Sequence, residues 1–226
     1  MGNLDTPFGP RQLVLALDHA VSFAREDFLA GPSNAAALAL IESWPDWPAR
    51  VMALVGPHGS GKSHLAAIWA EMAGARVLAA TLLSETDLPA AFATGALVLE
   101  DLEPDGLDER ALFHLLNLAR EQEAYVLLTA RSALSGFQVG IRDLASRLRA
   151  VPAVVLAPPD DLLLRSLIVK VAADRQLAVD ESLVNYLANR IERSFEAAHA
   201  AVARLDEEAM RQHRPVTRAL ASELFR

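Results

Sequence analysis

Eight consecutive residues have the types and spacing of a phosphate-binding loop. Residues 56–63 read Gly-Pro-His-Gly-Ser-Gly-Lys-Ser and fit the pattern G-x-x-x-x-G-K-[ST]. In such a loop the glycines let backbone N–H groups converge on a phosphate, the lysine reaches the β- and γ-phosphate oxygens, and the last hydroxyl binds Mg²⁺. The sequence therefore predicts a nucleotide site. Its predicted contacts are Gly59, Ser60, Gly61, Lys62, Ser63 and His64, with Ser63 also a magnesium ligand.

The segments on either side of the loop support this prediction. Residues 51–55 are a short apolar run typical of a buried parallel strand. After the loop, Leu65, Ile68, Trp69 and Met72 recur at the spacing of one helix face. A strand, a glycine-rich loop and a helix follow one another in every phosphate-binding loop, because the helix N-terminus adds partial positive charge at the phosphate.

Two acidic residues end another apolar run. Residues 96–101 read Ala-Leu-Val-Leu-Glu-Asp, so that Glu100 and Asp101 emerge at the carboxyl end of a predicted strand. Carboxylates at that edge, opposite the phosphate loop, are what a magnesium site needs. We expect Glu100 or Asp101 to bind Mg²⁺; the alternative is an acidic surface turn.

Alternation of apolar runs and amphipathic segments predicts an α/β core with a parallel sheet covered on both faces. The predicted strands are 51–55, 75–79, 96–101, 125–129 and 153–156. After Pro158 and Pro159 only helical patterns remain, with Asp160 and Thr217 as N-caps. The predicted organisation is a leader over 1–27, an α/β core over 28–157 and an all-helical lid over 158–226.

Composition narrows the functional class. The chain has 226 residues, 52% of them hydrophobic, a formal charge of −8 and no cysteine. Disulfides and thiolate chemistry are therefore excluded, and the acidic charge does not favour nonspecific DNA binding. Since no apolar run approaches the ~20 residues that cross a bilayer, we expect a cytoplasmic protein without membrane contact.

The leader contains one patterned stretch. Gln12 is followed by Leu13, Leu15 and Leu17, which alternate as in an extended segment. One explanation is an edge strand that packs on the domain. The other is a linear peptide that binds in the groove of a partner protein.

An α/β nucleotide core followed by a small helical lid is similar to the AAA+ ATPases. Within them, FLAGPSN at 28–34 and GPHGSGKSHLA at 56–66 resemble the family of the bacterial replication initiator DnaA, which includes a shorter homologue, Hda. The resemblance covers about residues 10–226. It implies that Phe28 and Gly31 surround the adenine. In the segments DLASRL and RSFEAA it implies that Arg147 is an arginine finger and Arg193 a γ-phosphate sensor.

Two departures from the family pattern weaken the case for self-sufficient hydrolysis. The acidic pair is Glu100-Asp101, where DnaA has two aspartates. The sensor 1 region, residues 128–132, has no acidic residue, and Arg131 is the candidate to take its place. Positioning of water and metal depends on such polar groups.

The resemblance also implies cofactors and partners. DnaA continues beyond its lid into a basic DNA-binding domain, whereas this sequence ends at Arg226, so no sequence-specific DNA binding is expected. Hda docks on the DNA-loaded sliding clamp through its N-terminal peptide and stimulates hydrolysis of ATP held by DnaA. ATP or ADP, Mg²⁺, the sliding clamp and DnaA are thus the expected ligands, and a homo-oligomer stays open. The alternatives are a stand-alone P-loop ATPase that loads or remodels a partner, and an adaptor that acts by binding alone.

Overall fold

The apolar runs form a five-stranded sheet in which every pairing is parallel. The computed structural model describes residues 23–225; the predicted clamp peptide at Gln12, Leu13, Leu15 and Leu17 lies outside them. The strands are β1 Val51–Val55, β2 Arg76–Ala79, β3 Ala96–Leu102, β4 Tyr125–Ala130 and β5 Ala153–Val155. They lie in the order β2-β3-β4-β1-β5, which confirms the predicted parallel sheet.

Helices connect the strands and then continue alone. In the core the helices are α1 Ala35–Glu42, α2 Lys62–Ala73, α3 Leu88–Ala91, α4 Glu109–Glu121 and α5 Arg142–Ala150. After β5 come α6 Asp161–Asp174, α7 Glu181–Ala188, α8 Phe195–Gln212 and α9 Arg218–Leu224. No helix in the described part of the chain combines the length and apolar character that spanning a bilayer requires.

The three central strands of the sheet, β3, β4 and β1, are buried on both faces because their alternate residues belong to two separate clusters. Ala53 and Val55 of β1 pack on the face covered by α4 and α5, whereas Met52 and Leu54 pack on the face covered by α1 and α2. Strands buried on both sides read as continuous apolar runs, which explains why they were visible in the sequence.

The last four helices have a hydrophobic cluster of their own. Fully buried side chains from all four helices form it, including Leu164, Leu183, Leu205 and Leu220. Each helix begins at a residue whose side-chain oxygen accepts a hydrogen bond from the backbone N–H three residues later. These N-caps are Asp160, Asp180, Ser194 and Thr217, so the two predicted caps are confirmed.

The strand order determines where the polar residues meet. Because β4 lies between β1 and β3, the loop after Val55, the acidic end of β3 and Arg131 after β4 all emerge at the same carboxyl edge of the sheet. This is the edge at which open α/β sheets bind ligands.

Candidate nucleotide-binding site

The loop between β1 and α2 has the conformation that its glycines allow. Gly59 and Gly61 have φ values of 66° and 96°, in the left-handed region that other residues rarely adopt. The N–H of Gly56 donates to the carbonyl of Ala130 at 3.1 Å, which ties the start of the loop to β4. The predicted order of strand, loop and helix is therefore the observed one.

Lys62 lies folded back across this loop. Its Nζ donates to the carbonyl oxygens of Gly56 and Pro57, both at 2.8 Å, and the residue is only 6% exposed. Burial lowers the pKa of Lys62; the carboxylates of Asp101 and Glu100 oppose that shift, and Arg131 adds to it. An ammonium group held over the loop can exchange its two carbonyl partners for phosphate oxygens, which are the stronger acceptors.

The acidic end of β3 leaves one carboxylate oxygen without a partner. Oε1 of Glu100 is buried and accepts no hydrogen bond in the described structure. The next residue, Asp101, has a φ of 55°, and its N–H donates to the hydroxyl of the fully buried Thr129 at 2.9 Å. Thr129 thus holds the backbone of Asp101 in the irregular conformation that this part of the strand adopts.

The donor set fits Mg²⁺ bound jointly with a nucleotide. Within residues 23–225 no three acidic or histidine side chains are grouped so that they could hold a metal by themselves. Mg²⁺ usually binds through one or two carboxylates together with water and substrate phosphates. The unpaired oxygen of Glu100 and the exposed hydroxyl of Ser63 are oxygen ligands of the kind this requires.

Arg131 is held close to the acids by an ion pair. Its Nε lies 3.1 Å from Oε1 of Glu103, and its charge acts on Lys62. The guanidinium is about half exposed, so this pair contributes little to stability. A cation therefore lies at the end of β4. The related DnaA family has an acidic residue in this region, and this sequence does not.

Aromatic side chains form the other wall of the site. Phe28 is buried, meets the ring of His64 edge-on at 5.2 Å and lies nearly parallel to Phe195 of the lid at 6.4 Å. A Cβ added to Gly31 would approach the side chain of Leu163 to 3.1 Å, so glycine lets α6 pack against this segment. Phe28 and Gly31 therefore lie between core and lid, where a base could bind.

The lid contacts the loop directly through the first turn of α8. The N–H of Phe195 donates to the carbonyl of Gly59 at 2.8 Å, and Nδ1 of His58 lies 2.8 Å from Oε2 of Glu196. Arg193 lies just before this helix, 59% exposed, with its guanidinium 2.6 Å from Asp161. The segment predicted to hold the γ-phosphate sensor thus reaches the loop, while Arg193 itself is paired within the lid.

We expect Gly59→Ala to separate the loop from the lid. A Cβ at this position would lie 2.7 Å from Cβ of Ser194, and a left-handed φ costs a non-glycine residue roughly 1–2 kcal/mol before that clash is counted. The melting temperature should fall by about 2–8 °C. Gly136→Ala is the matched control, because Gly136 has no positive φ and a Cβ there meets nothing within 4 Å. Equal melting of the two variants would contradict this account of the contact.

Arg147 lies away from this site. It borders a cavity of about 550 Å³ that is also lined by Arg50 and Val51, at the start of β1. The phosphate loop follows the other end of the same strand, and five strand residues span about 17 Å. The structure therefore brings together Lys62, Glu100, Asp101 and Arg131, but not Arg147.

Three contributors to the site were missed in the sequence. Thr129 was noted only within a strand and within the sensor 1 region, Phe195 only within the segment RSFEAA, and Glu103 was not singled out. The pattern of residues 125–130 gives no sign that the hydroxyl, rather than an apolar side chain, is needed there. Each contact joins residues that are far apart in the chain, so local spacing carries no signal of it.

Comparison with known proteins identifies the fold. No family model and no curated protein sequence matches the chain. Among solved structures, domain III of the Thermotoga maritima replication initiation protein DnaA is similar, with 18% identity over 88% of this chain and 93% of that one and a TM-score of 0.71. DnaA from Aquifex aeolicus bound to AMPPCP is 17% identical over 84% and 69%, with a TM-score of 0.67. The Thermotoga maritima RuvB branch migration motor is 15% identical over 89% and 70%, also with a TM-score of 0.67. The chain has the P-loop AAA+ fold, in a form similar to DnaA domain III.

Proposed function

We propose that this protein is an Hda-like negative regulator of chromosomal replication initiation. It binds ATP or ADP, docks on the DNA-loaded sliding clamp in the cytoplasm, and promotes hydrolysis of ATP held by DnaA. The observation that carries the proposal is the position of Arg147, at the far end of β1 from the chain's own phosphate loop. In a chain with a DnaA-like fold, such an arginine acts on the nucleotide of a second protein.

The nucleotide of the protein itself is proposed to bind between core and lid. The backbone of the loop and Lys62 hold the phosphates, Phe28 and Gly31 flank the base, and Ser63 with Glu100 or Asp101 hold Mg²⁺, which neutralises phosphate charge when bound. Support comes from the loop geometry, from the unpaired oxygen of Glu100, and from the AMPPCP in the similar Aquifex aeolicus DnaA structure.

Arg193 is proposed as the γ-phosphate sensor, as the family resemblance implies. To reach a phosphate it must release Asp161, to which it is paired at the surface of the lid. Exposed ion pairs contribute about 0–1 kcal/mol, so this exchange costs little. A phosphate also offers the guanidinium two parallel hydrogen bonds.

Arg147 is proposed to act in trans as an arginine finger. Its guanidinium would stabilise the charge that develops on the transferring phosphoryl group of DnaA-bound ATP. Fingers of this kind accelerate hydrolysis by roughly 10³–10⁵, which corresponds to about 4–7 kcal/mol of barrier.

Hydrolysis of DnaA-bound ATP tests the proposal directly. ATP turnover by DnaA is measured with and without this protein, in the presence and absence of clamp and DNA. The proposal requires strong stimulation only when protein, clamp and DNA are all present. Unchanged turnover in the complete mixture would exclude it.

The leader is proposed to supply the clamp contact, through Gln12, Leu13, Leu15 and Leu17. The double variant Gln12→Ala/Leu13→Ala should lose clamp binding by more than tenfold, because one buried leucine contributes about 1.5–3 kcal/mol. Surface plasmon resonance measures binding, and the melting temperature should stay unchanged. Val14→Ala is the control, since its side chain alternates away from the leucines. A double variant that melts early but still binds the clamp would instead indicate an edge strand.

A stand-alone ATPase that loads or remodels a partner is the second candidate. The unpaired oxygen of Glu100 beside Lys62 favours it, since a metal ligand and a phosphate ligand are both in place. The similarity to the RuvB motor is compatible with it. If this candidate forms a homo-oligomer, Arg147 would act on the nucleotide of a second copy. Multiple ATP turnovers by the purified protein alone would support it.

A further inference from the structure

The guanidinium of Arg147 is held by a ring rather than by an acid. Its central carbon lies 5.0 Å from the centre of the Phe113 ring on α4, and the residue is half-buried. Among the described residues, no carboxylate pairs with this guanidinium, and none of the side-chain N–H groups of Arg147 donates a hydrogen bond. Since an aromatic face attracts a cation without accepting its hydrogen bonds, the donors of Arg147 stay free for another acceptor.

The helix that carries Arg147 is also capped by α4. Ile141, the residue before α5, has no side chain that could accept from the exposed backbone N–H groups of the first turn. The carboxylate of Glu109 instead accepts from the two backbone N–H groups just before the helix, that of Gly140 at 2.8 Å and that of Ile141 at 2.9 Å. One acid from α4 thus fixes the start of α5.

These two contacts come from one face of α4. Glu109 and Phe113 are four residues apart, so their side chains lie one above the other on the helix. α4 is itself anchored, because its N-cap Asp108 accepts from the N–H of Ala111 and because Leu112 and Leu115 are fully buried against the sheet. A rigid helix therefore holds α5 at its start and the Arg147 side chain near its end.

We infer that Glu109 and Phe113 are positioning residues for Arg147, and that they set the rate at which it promotes hydrolysis on a partner's nucleotide. The inference rests on the proposed function. Reacting groups displaced by about 1 Å can lose up to 10²-fold in rate, so a finger needs such support. Phe113 limits the rotamers of the arginine, and Glu109 limits the movement of its helix.

The test separates the chemical rate from docking. In the assay with DnaA, clamp and DNA, Phe113→Leu and Glu109→Ala should each lower the maximal stimulated rate about tenfold. The protein concentration that gives half of the maximal effect should stay within about twofold, because neither residue is proposed to contact the partner. Phe113→Tyr keeps the aromatic face and should restore most of the rate. Glu121→Ala, at the exposed end of the same helix, is the control.

Two outcomes distinguish this inference from the proposed function. If Arg147→Ala keeps full stimulation, the proposed function fails and the inference fails with it. If Arg147→Ala loses stimulation while Phe113→Leu and Glu109→Ala keep the normal maximal rate, only the inference is overturned. A rate for Phe113→Tyr as low as that for Phe113→Leu would also overturn the role of the ring.

Discussion

Arg147→Ala is expected to reduce the stimulated hydrolysis of DnaA-bound ATP by roughly 10³–10⁵-fold. The alanine variant should fold, bind nucleotide and bind the clamp normally, because Arg147 lies at the end of β1 away from the phosphate loop, makes no ion pair among the described residues and is not part of the proposed clamp peptide. The measurement is the single-turnover rate of ATP loss from DnaA in the presence of clamp and DNA.

The control for this variant lies on the same helix. Arg149 is exposed, and within the described part of the chain its side chain makes no hydrogen bond or ion pair, so Arg149→Ala should keep normal stimulation. Arg147→Lys should not restore the rate, since lysine keeps the charge but lacks the planar fork that bridges two phosphate oxygens. Full stimulation by the Arg147→Ala variant would exclude the finger.

The buried strands and the capped helices of the lid could be predicted from the sequence, because short runs of neighbouring residues determine them. The strand before the loop and the first four residues of β3, ahead of Glu100, are continuous apolar runs, because both faces of these central strands are buried. The capped helices of the lid were visible from Asp160 and Thr217. By contrast, the 3₁₀ segment Ala80–Glu85 and the single-turn helix α3 were missed, because elements this short contain no helical period.

The meeting of lid and loop was not predictable from spacing. The hydrogen bond from Phe195 to Gly59 and the contact between His58 and Glu196 join distant parts of the chain. The family resemblance indicated the segment RSFEAA of the lid but could not say which residue in it faces the loop. In the structure Phe195 faces it, and Arg193 faces Asp161. The side that a residue takes at a helix start depends on tertiary packing.

The position of Arg147 illustrates the same limit. Its role was implied by the family resemblance, but its distance from the phosphate loop depends on how its helix packs on the sheet. Only the packing of α5 shows that Arg147 lies beside the start of β1, which is the end away from the phosphate loop. Because Arg147 lies far from the chain's own phosphate loop, we propose that it acts on the nucleotide of a second protein.

Lys62→Ala is expected to abolish tight binding of both ATP and ADP. The lysine is the buried cation of the loop, and each charge-assisted hydrogen bond it could make to a phosphate contributes about 1.5–3 kcal/mol, so the loss should exceed tenfold and approach 10³-fold. Calorimetry measures the affinity directly.

The melting temperature of Lys62→Ala depends on two effects, the altered stability of the loop and the loss of nucleotide binding, and the experiment must distinguish them. Lys62 also bridges the carbonyls of Gly56 and Pro57, so alanine will change the melting temperature even without nucleotide. The informative quantity is therefore the increase in melting temperature on adding nucleotide. At a hundred times its Kd a ligand stabilises the folded state by about 2.7 kcal/mol, or about 5–10 °C for a chain of this size. The normal protein should show that increase and the alanine variant should lose it. An equal increase in both would mean that the loop does not hold the phosphates through Lys62.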